Sequence, residues 1–401
     1  MEWLRLWRVR VRVGWRQTVL LPRLIFLIAW LFVRQRAEHR RVTRALFKAI
    51  RREASSASPL RALEPGLYEV EPWFLHGHDA APSSPPLLAR GALTVVHLLG
   101  TGENIYSPLT GLRSLCGTDA RLRDVRHVIV DSPHDAAGYL GPQEFATRLR
   151  RVLAPLLERE RERLVICGLS RGAMAALDLG ADLASTHGLR VGVLAMAPPC
   201  ARPERAPHTV LNIGGFEPII ENFVPYLELH RWFQPIGAWI TRDLYVRFSG
   251  FTLAELRMGS DEAISMFARY VRETDSMVAC LRSVREFALL GRVSDAELRH
   301  AVSMAMQRYA FSETARVTVC WGQDDAWLDV GACRERMESM IARHAVPSER
   351  IEVHTLSGLS HGVSREPQQD FAPIAAWLSR ACEHARAGAH DEDRAWKVES
   401  A

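Results

Sequence analysis

The pentapeptide Gly168-Leu169-Ser170-Arg171-Gly172 presents a serine hydroxyl between two glycines. It directly follows the apolar run Leu164-Val165-Ile166-Cys167 and precedes the helix-forming stretch AMAALDLGADLA. A strand, a tight turn and a helix in that order form the context in which a serine can act as a nucleophile. On so sharp a turn, side chains at 168 and 172 would collide with the neighbouring strand and helix, which explains the glycines. A helix N-terminus beside the hydroxyl would favour developing negative charge. A serine hydroxyl is a poor nucleophile near neutral pH. It needs a base, and the base needs a group that fixes its tautomer.

Downstream residues supply both in the required order of serine, acid, histidine. An apolar run at 317–321 leads into Gly322-Gln323-Asp324-Asp325, and a second at 351–356 leads into Ser357-Gly358-Leu359-Ser360-His361-Gly362. Asp325, three residues past Gly322, is the preferred acid, with Asp324 the alternative; His361 is the base. Ligands of open α/β sheets bind at the C-terminal ends of strands, where both residues fall. His76, His78 and His97 precede Ser170 and do not fit the order. For the oxyanion that acyl transfer generates, the donors are the amide of Arg171 and one from Leu99-Gly100-Thr101-Gly102, with Thr101 first and Gly100 second. No metal-ligand spacing is present, no cofactor is called for, and GTG at 100–102 is not a P-loop because no Lys-Ser or Lys-Thr follows.

These elements together resemble the α/β-hydrolase superfamily over about residues 66–387. That resemblance implies a mainly parallel sheet flanked by helices, with nucleophile, acid, base and oxyanion positions on Ser170, Asp325, His361 and Arg171 with Thr101. Two positions depart from the common pattern: HLLGTG stands where a His-Gly form is usual, and Arg171 replaces a small or apolar residue. HLLGTG followed by ENIY is similar to a run in membrane-linked abhydrolase-domain proteins that include lipid deacylases.

The elements that must position these residues read as alternating strands and helices. Strands are expected at 68–74, 92–98, 127–131, 164–169, 190–197, 316–321 and 350–356. Helices are expected at 142–160, 171–185, 330–344 and 367–387. The rhythm breaks over 200–314, where an aromatic-rich piece precedes two amphipathic stretches, Thr252–Thr274 and Ser294–Phe311. This interval reads as a helical cap inserted into a core of residues 67–199 and 315–387, with a tail at 388–401.

Charge is divided along the chain. Residues 1–53 hold thirteen Arg and one Lys against Glu2, Glu38 and Glu53, while the remainder has 37 basic and 43 acidic residues. Residues 1–54 also contain four tryptophans and an apolar run from Leu24 to Val33, shorter than the ~20 residues that span a bilayer. Basic residues beside an apolar run suit an anionic membrane surface better than a nucleic acid. The segment reads first as an interfacial anchor, with the catalytic body on the cytoplasmic side, a tilted spanning helix or a helix packed on the body or on a partner chain being the alternatives, and residues 55–66 read as a linker. Seven scattered cysteines without a CxxC pair read as free thiols. The expected activity is hydrolysis of an acyl ester of an apolar or lipid substrate. The same triad could also serve an acyltransferase or thioesterase, and an inert hydrolase-fold protein that binds a lipid or partner is the remaining alternative. Acyl-chain length, head group and oligomeric state are not encoded legibly.

Overall fold

The computed structural model describes residues 37–52, 57–76, 93–131, 142–159, 163–202, 259–274, 293–325, 327–363 and 371–399, with short pieces between 242 and 254. An eight-stranded sheet forms its centre. In chain order the strands are β1 Leu60–Glu64, β2 Leu67–Val70, β3 Thr94–Leu98, β4 Arg126–Val130, β5 Leu164–Leu169, β6 Val191–Met196, β7 Ala315–Gly322 and β8 Ile351–Leu356. In space they run β1-β2-β4-β3-β5-β6-β7-β8. Strands β3 to β8 pair in parallel, whereas β2 is antiparallel to β4 and to β1. This is the strand order and mixed direction of an α/β-hydrolase sheet.

Central strands β3, β5 and β6 are buried at every residue, which is why they read as unbroken apolar runs rather than alternating ones. Such strands need cover on both faces. Helices α1 Ala37–Arg51, α2 Pro72–His76, α3 Ser107–Thr118, α4 Pro142–Arg159, α5 Arg171–His187, α6 Asp261–Glu273, α7 Asp295–Phe311, α8 Val330–Arg343 and α9 Ala372–Glu399 supply it, directly or through one another.

Several sequence expectations need correction. The segment read as a linker contains β1, which pairs with β2 across a turn where Gly66 takes φ +83°. Residues 68–74 are not one strand, because Pro72 opens α2, where its missing N–H costs nothing. Helix α9 continues to Glu399, past the expected end at 387. Helix α7, expected in the cap, lies against α5 and α8 in the layer flanking the sheet, with Tyr309 fully buried and its hydroxyl donating to Leu177 O at 2.8 Å.

Of the basic N-terminal segment, residues 1–36 and their apolar run lie outside the described residues. Residues 37–51 form α1, whose apolar face of Val42, Leu46 and Ile50 is buried against α6. The packing is close: a Cβ on Gly259 would stand 2.8 Å from Val42 Cγ2. Among the described residues no helix is long and apolar enough to cross a membrane. Aromatic residues 223–239 of the presumed cap also lie outside the description. Six cysteines, at 116, 167, 200, 320, 333 and 382, are free and buried; Cys280 is outside the described residues. Burial pushes the Cys116 and Cys382 thiols up to about 12, which makes them inert apolar side chains.

Candidate active site

Ser170 is the hinge between β5 and α5, and it is one of three non-glycine residues with positive φ among those described, at φ 54° and ψ −119°. That backbone is costly for a residue with a Cβ, so its surroundings must impose it. They do so through the Ser170 amide, which donates to Met196 O of β6 at 2.8 Å, and through two close backbone approaches. A Cβ on Gly168 would stand 2.2 Å from Gly172 O, and one on Gly172 would stand 2.4 Å from Leu98 O. Only glycine allows β3, β5 and α5 to converge so closely. The Ser170 side chain makes no capping hydrogen bond to α5, so its hydroxyl is left available, and the residue is 7% exposed.

Past β7, the Asp325 side chain is fully buried. Its Oδ1 accepts from the amides of Trp327 at 2.7 Å and Leu328 at 3.0 Å, and its Oδ2 faces His361 Nδ1 at 2.7 Å. An ionised carboxylate can only accept, so Nδ1 carries the proton and Nε2 presents its lone pair. The His361 ring also stacks on Trp327, with centroids 5.5 Å apart and an 11° interplanar angle. The carboxylate bond and the ring stack thus fix one rotamer and one tautomer of His361. Asp324, the alternative acid, is exposed; its amide donates to Leu359 O at 2.8 Å and ties the histidine loop down. That loop folds back from β8 over the end of β7, where a Cβ on Gly322 would meet Leu359 O at 2.3 Å and Ser360 O at 2.4 Å. The fold therefore brings Asp325 and His361 together and carries them toward the same sheet end as Ser170. Among the described contacts, no hydrogen bond joins Ser170 Oγ to His361.

Residues 99–102 follow β3, the parallel neighbour of β5, and lie beside the serine. A Cβ on Gly100 would stand 3.3 Å from Ser170 Cβ and 3.1 Å from Leu169 O. The Gly100 amide, the second-choice oxyanion donor, donates instead to Glu103 Oε2 at 2.6 Å. In this arrangement it is spent on holding the loop, which leaves Thr101 and Arg171 as the candidates from the sequence. The Thr101 hydroxyl is buried with no hydrogen-bond partner. Arg171 is the first residue of α5, so its amide lies outside the helical ladder. Its guanidinium sits 4.1 Å from the centroid of Phe145 on α4, which explains how a long cation is tolerated beside Ser170: the side chain is drawn away to stack on a ring.

Sequence reasoning overlooked three contributors: Trp327 under the histidine, Glu103 on the Gly100 amide, and Tyr106. The Tyr106 hydroxyl donates to Glu273 Oε2 of α6 and lies 3.4 Å from Ser58 Oγ, while Arg269 Nε donates to Glu273 Oε1 at 2.8 Å. Burial, followed by the Glu273 carboxylate, pushes the Tyr106 phenol up to about 12. The signal was the ENIY run after GTG, but its partner lies 167 residues away. His97 is buried and bonds His127 through Nε2 to Nδ1 at 3.0 Å, which gives it a place between β3 and β4 rather than beside Asp325. His76 ends α2 on the surface, and His78 lies outside the description. Among the described residues no group of three or more His, Cys, Asp or Glu could hold a metal ion.

No protein-family model matches the sequence, and no curated protein does. Solved structures similar to it include a soluble variant of monoglyceride lipase from Saccharomyces cerevisiae in complex with a substrate analogue, at 13% identity, covering 83% of this chain and 97% of that one with a TM-score of 0.44. A haloalkane dehalogenase loop variant from Bradyrhizobium elkanii is similar at 17% identity, 84% and 98% coverage and a TM-score of 0.45. An α/β-hydrolase-fold protein from Nakamurella multipartita is similar at 18% identity, 74% and 93% coverage and a TM-score of 0.41. The fold assignment rests on the strand order of this chain itself.

Proposed function

We propose that this chain, which has the α/β-hydrolase fold, is a serine hydrolase that cleaves an acyl ester of an apolar or lipid substrate. One observation carries the reading: a serine with a strained backbone at a helix N-terminus shares the C-terminal end of the sheet with a histidine whose Nδ1 is locked onto a buried carboxylate. In the proposed reaction, Ser170 Oγ attacks the ester carbonyl carbon as His361 Nε2 takes the hydroxyl proton. Asp325 orients the ring and stabilises the imidazolium. The amides of Arg171 and Thr101 receive the oxyanion, each donor contributing about 10²–10³ in turnover. Collapse breaks the ester C–O bond, and the alcohol leaves with the proton held by His361. Water, deprotonated by His361, then releases the acid and restores Ser170. Hydrogen bonds of this kind are commonly long in the free enzyme and shorten around the substrate, consistent with a Ser170 not yet bonded to His361.

Two features support a lipid substrate. The apolar run 24–33, set among arginines and tryptophans, would hold the chain at a membrane surface with its catalytic body on the cytoplasmic side. Helix α6 of the insertion is tied to Tyr106, only a few residues past the Gly100 loop, so a cap built on α6 would adjoin the serine. A fluorophosphonate probe should label the wild-type chain, and the Ser170→Ala variant should take up none. Equal labelling of that variant would remove Ser170 from the mechanism. Hydrolysis products from a lipid extract, read by mass spectrometry for both proteins, would then identify the ester.

A further inference from the structure

The exposed face of α1 opens onto a cavity of about 560 Å³ whose walls are strongly cationic. Arg44, Lys48 and Arg51 of α1 and Arg52 just after it line one side, and Arg247 and Asp243 line the other. Five cations thus surround a single carboxylate, and that carboxylate is already engaged: Asp243 Oδ2 accepts from Arg247 Nε at 2.6 Å. The Arg247 guanidinium also lies 5.4 Å from the centroid of Phe47, which forms part of the floor. Arg247 Nη2 also donates to Asp243 Oδ1 at 3.4 Å, so this guanidinium and carboxylate form a paired wall of the cavity. Arg44, Lys48, Arg51 and Arg52 have no acidic partner among the described residues; the Arg44 Nε bond goes to the carbonyl of Arg40.

Like charges at this density repel one another, and among the described residues no acidic side chain neutralises Arg44, Lys48, Arg51 or Arg52. The C-terminal carbonyls of a helix would ordinarily weaken an anion site. Here Arg272 Nη1 of α6 covers them, donating to Ala49 O at 2.8 Å and Arg52 O at 3.3 Å. The opposite face of α1 is buried on α6, so the cationic face has a fixed direction. In the sequence only three residues separate Val33, the end of the apolar run, from Ala37, the start of α1. Even fully extended, that link spans little more than about 13 Å, less than the length of α1 itself.

We propose that this cavity binds the phosphate of an anionic phospholipid headgroup at the bilayer surface. Arg44, Lys48, Arg51 and Arg52 supply the charge that receives the phosphate, and the Arg247–Asp243 pair forms the opposite wall. The proposal rests on the membrane-surface reading given above and adds a specific phosphate site to it.

The test is sedimentation of the full chain with vesicles of phosphatidylcholine alone and of phosphatidylcholine containing about a third phosphatidic acid, for the wild type and for Lys48→Gln/Arg51→Gln. Each cation near an anionic surface contributes about fivefold, so the double variant should bind the anionic vesicles roughly 30-fold more weakly. It should bind neutral vesicles as the wild type does, and its fluorophosphonate labelling should be unchanged. Wild-type binding equal on both vesicles, or a double variant that keeps the anionic preference, overturns the site while leaving the membrane reading and Ser170 untouched. Thermal protection by inorganic phosphate without vesicle binding overturns the headgroup as the source and assigns the cavity to a soluble phosphate.

Discussion

Asp325 directs one carboxylate oxygen at the amides of Trp327 and Leu328 and the other at His361, whereas its neighbour Asp324 is exposed. Adjacent residues at a strand end face different ways, so only one can lie beneath the histidine. Replacing Asp325 with Asn keeps the shape but offers an amide where a pure acceptor stood. The ring can then settle in the tautomer that places its lone pair on Nδ1. Turnover of a soluble aryl ester should fall by about 10⁴ in Asp325→Asn and stay within about threefold of wild type in Asp324→Asn. Equal losses in the two variants would contradict the assignment.

Elements rather than single residues decide how α6 meets the Gly100 loop. Helix α3 follows the Gly100 loop directly, and α6 lies against it through the Tyr106–Glu273 bond and through Arg113 Nη1 on Glu262 Oε1 at 3.2 Å. Tyr106→Phe removes a partly buried bond to a carboxylate and leaves Glu273 to Arg269. A loss of about 1–2 kcal/mol in urea unfolding should follow, together with slower fluorophosphonate labelling of Ser170. Because tyrosine and glutamate act as one contact, Tyr106→Phe combined with Glu273→Gln should lose far less than the sum of the two single variants. Additive losses would mean that they stabilise the protein independently.

At the scale of the molecule, the sheet is joined internally by the buried histidine pair. His127 is fully buried; its Nε2 donates to Leu122 O at 2.8 Å, which leaves Nδ1 to accept from His97 Nε2. Burial lowers its pKa from 6.5 to about 4. The unfolded chain therefore takes up the proton first as pH falls. Stability from the neutral ring is complete above about pH 6.5 and is lost between there and pH 4, by up to about 3 kcal/mol. Urea midpoints at pH 7.5 and 4.5 should therefore differ more for the wild type than for His127→Asn, which carries no proton into the sheet. An identical pH dependence in the two proteins would place the acid sensitivity elsewhere.

The strands, the elbow at Ser170 and the order of acid and histidine were legible because their causes are local. Apolar runs demand burial on both faces, and glycines at 168 and 172 answer a clash within one turn. The edge strand β1 was hidden by its small and proline-rich flanks, and α1 was hidden by its charge: its apolar face is a narrow stripe among arginines. Which aspartate meets His361, and that the Gly100 amide is occupied by Glu103, also could not be read from spacing. Sequence alone determined the candidate site residues, Ser170, Asp325 or Asp324, and His361, and the chain order in which they occur. Only the tertiary structure decided which of two adjacent carboxylates is buried and how a tyrosine and a glutamate 167 residues apart come to share a proton donor and acceptor. The reason is physical: backbone sterics and side-chain periodicity act over a few residues. Contacts between distant segments exist only once the sheet has closed and removed water from between them.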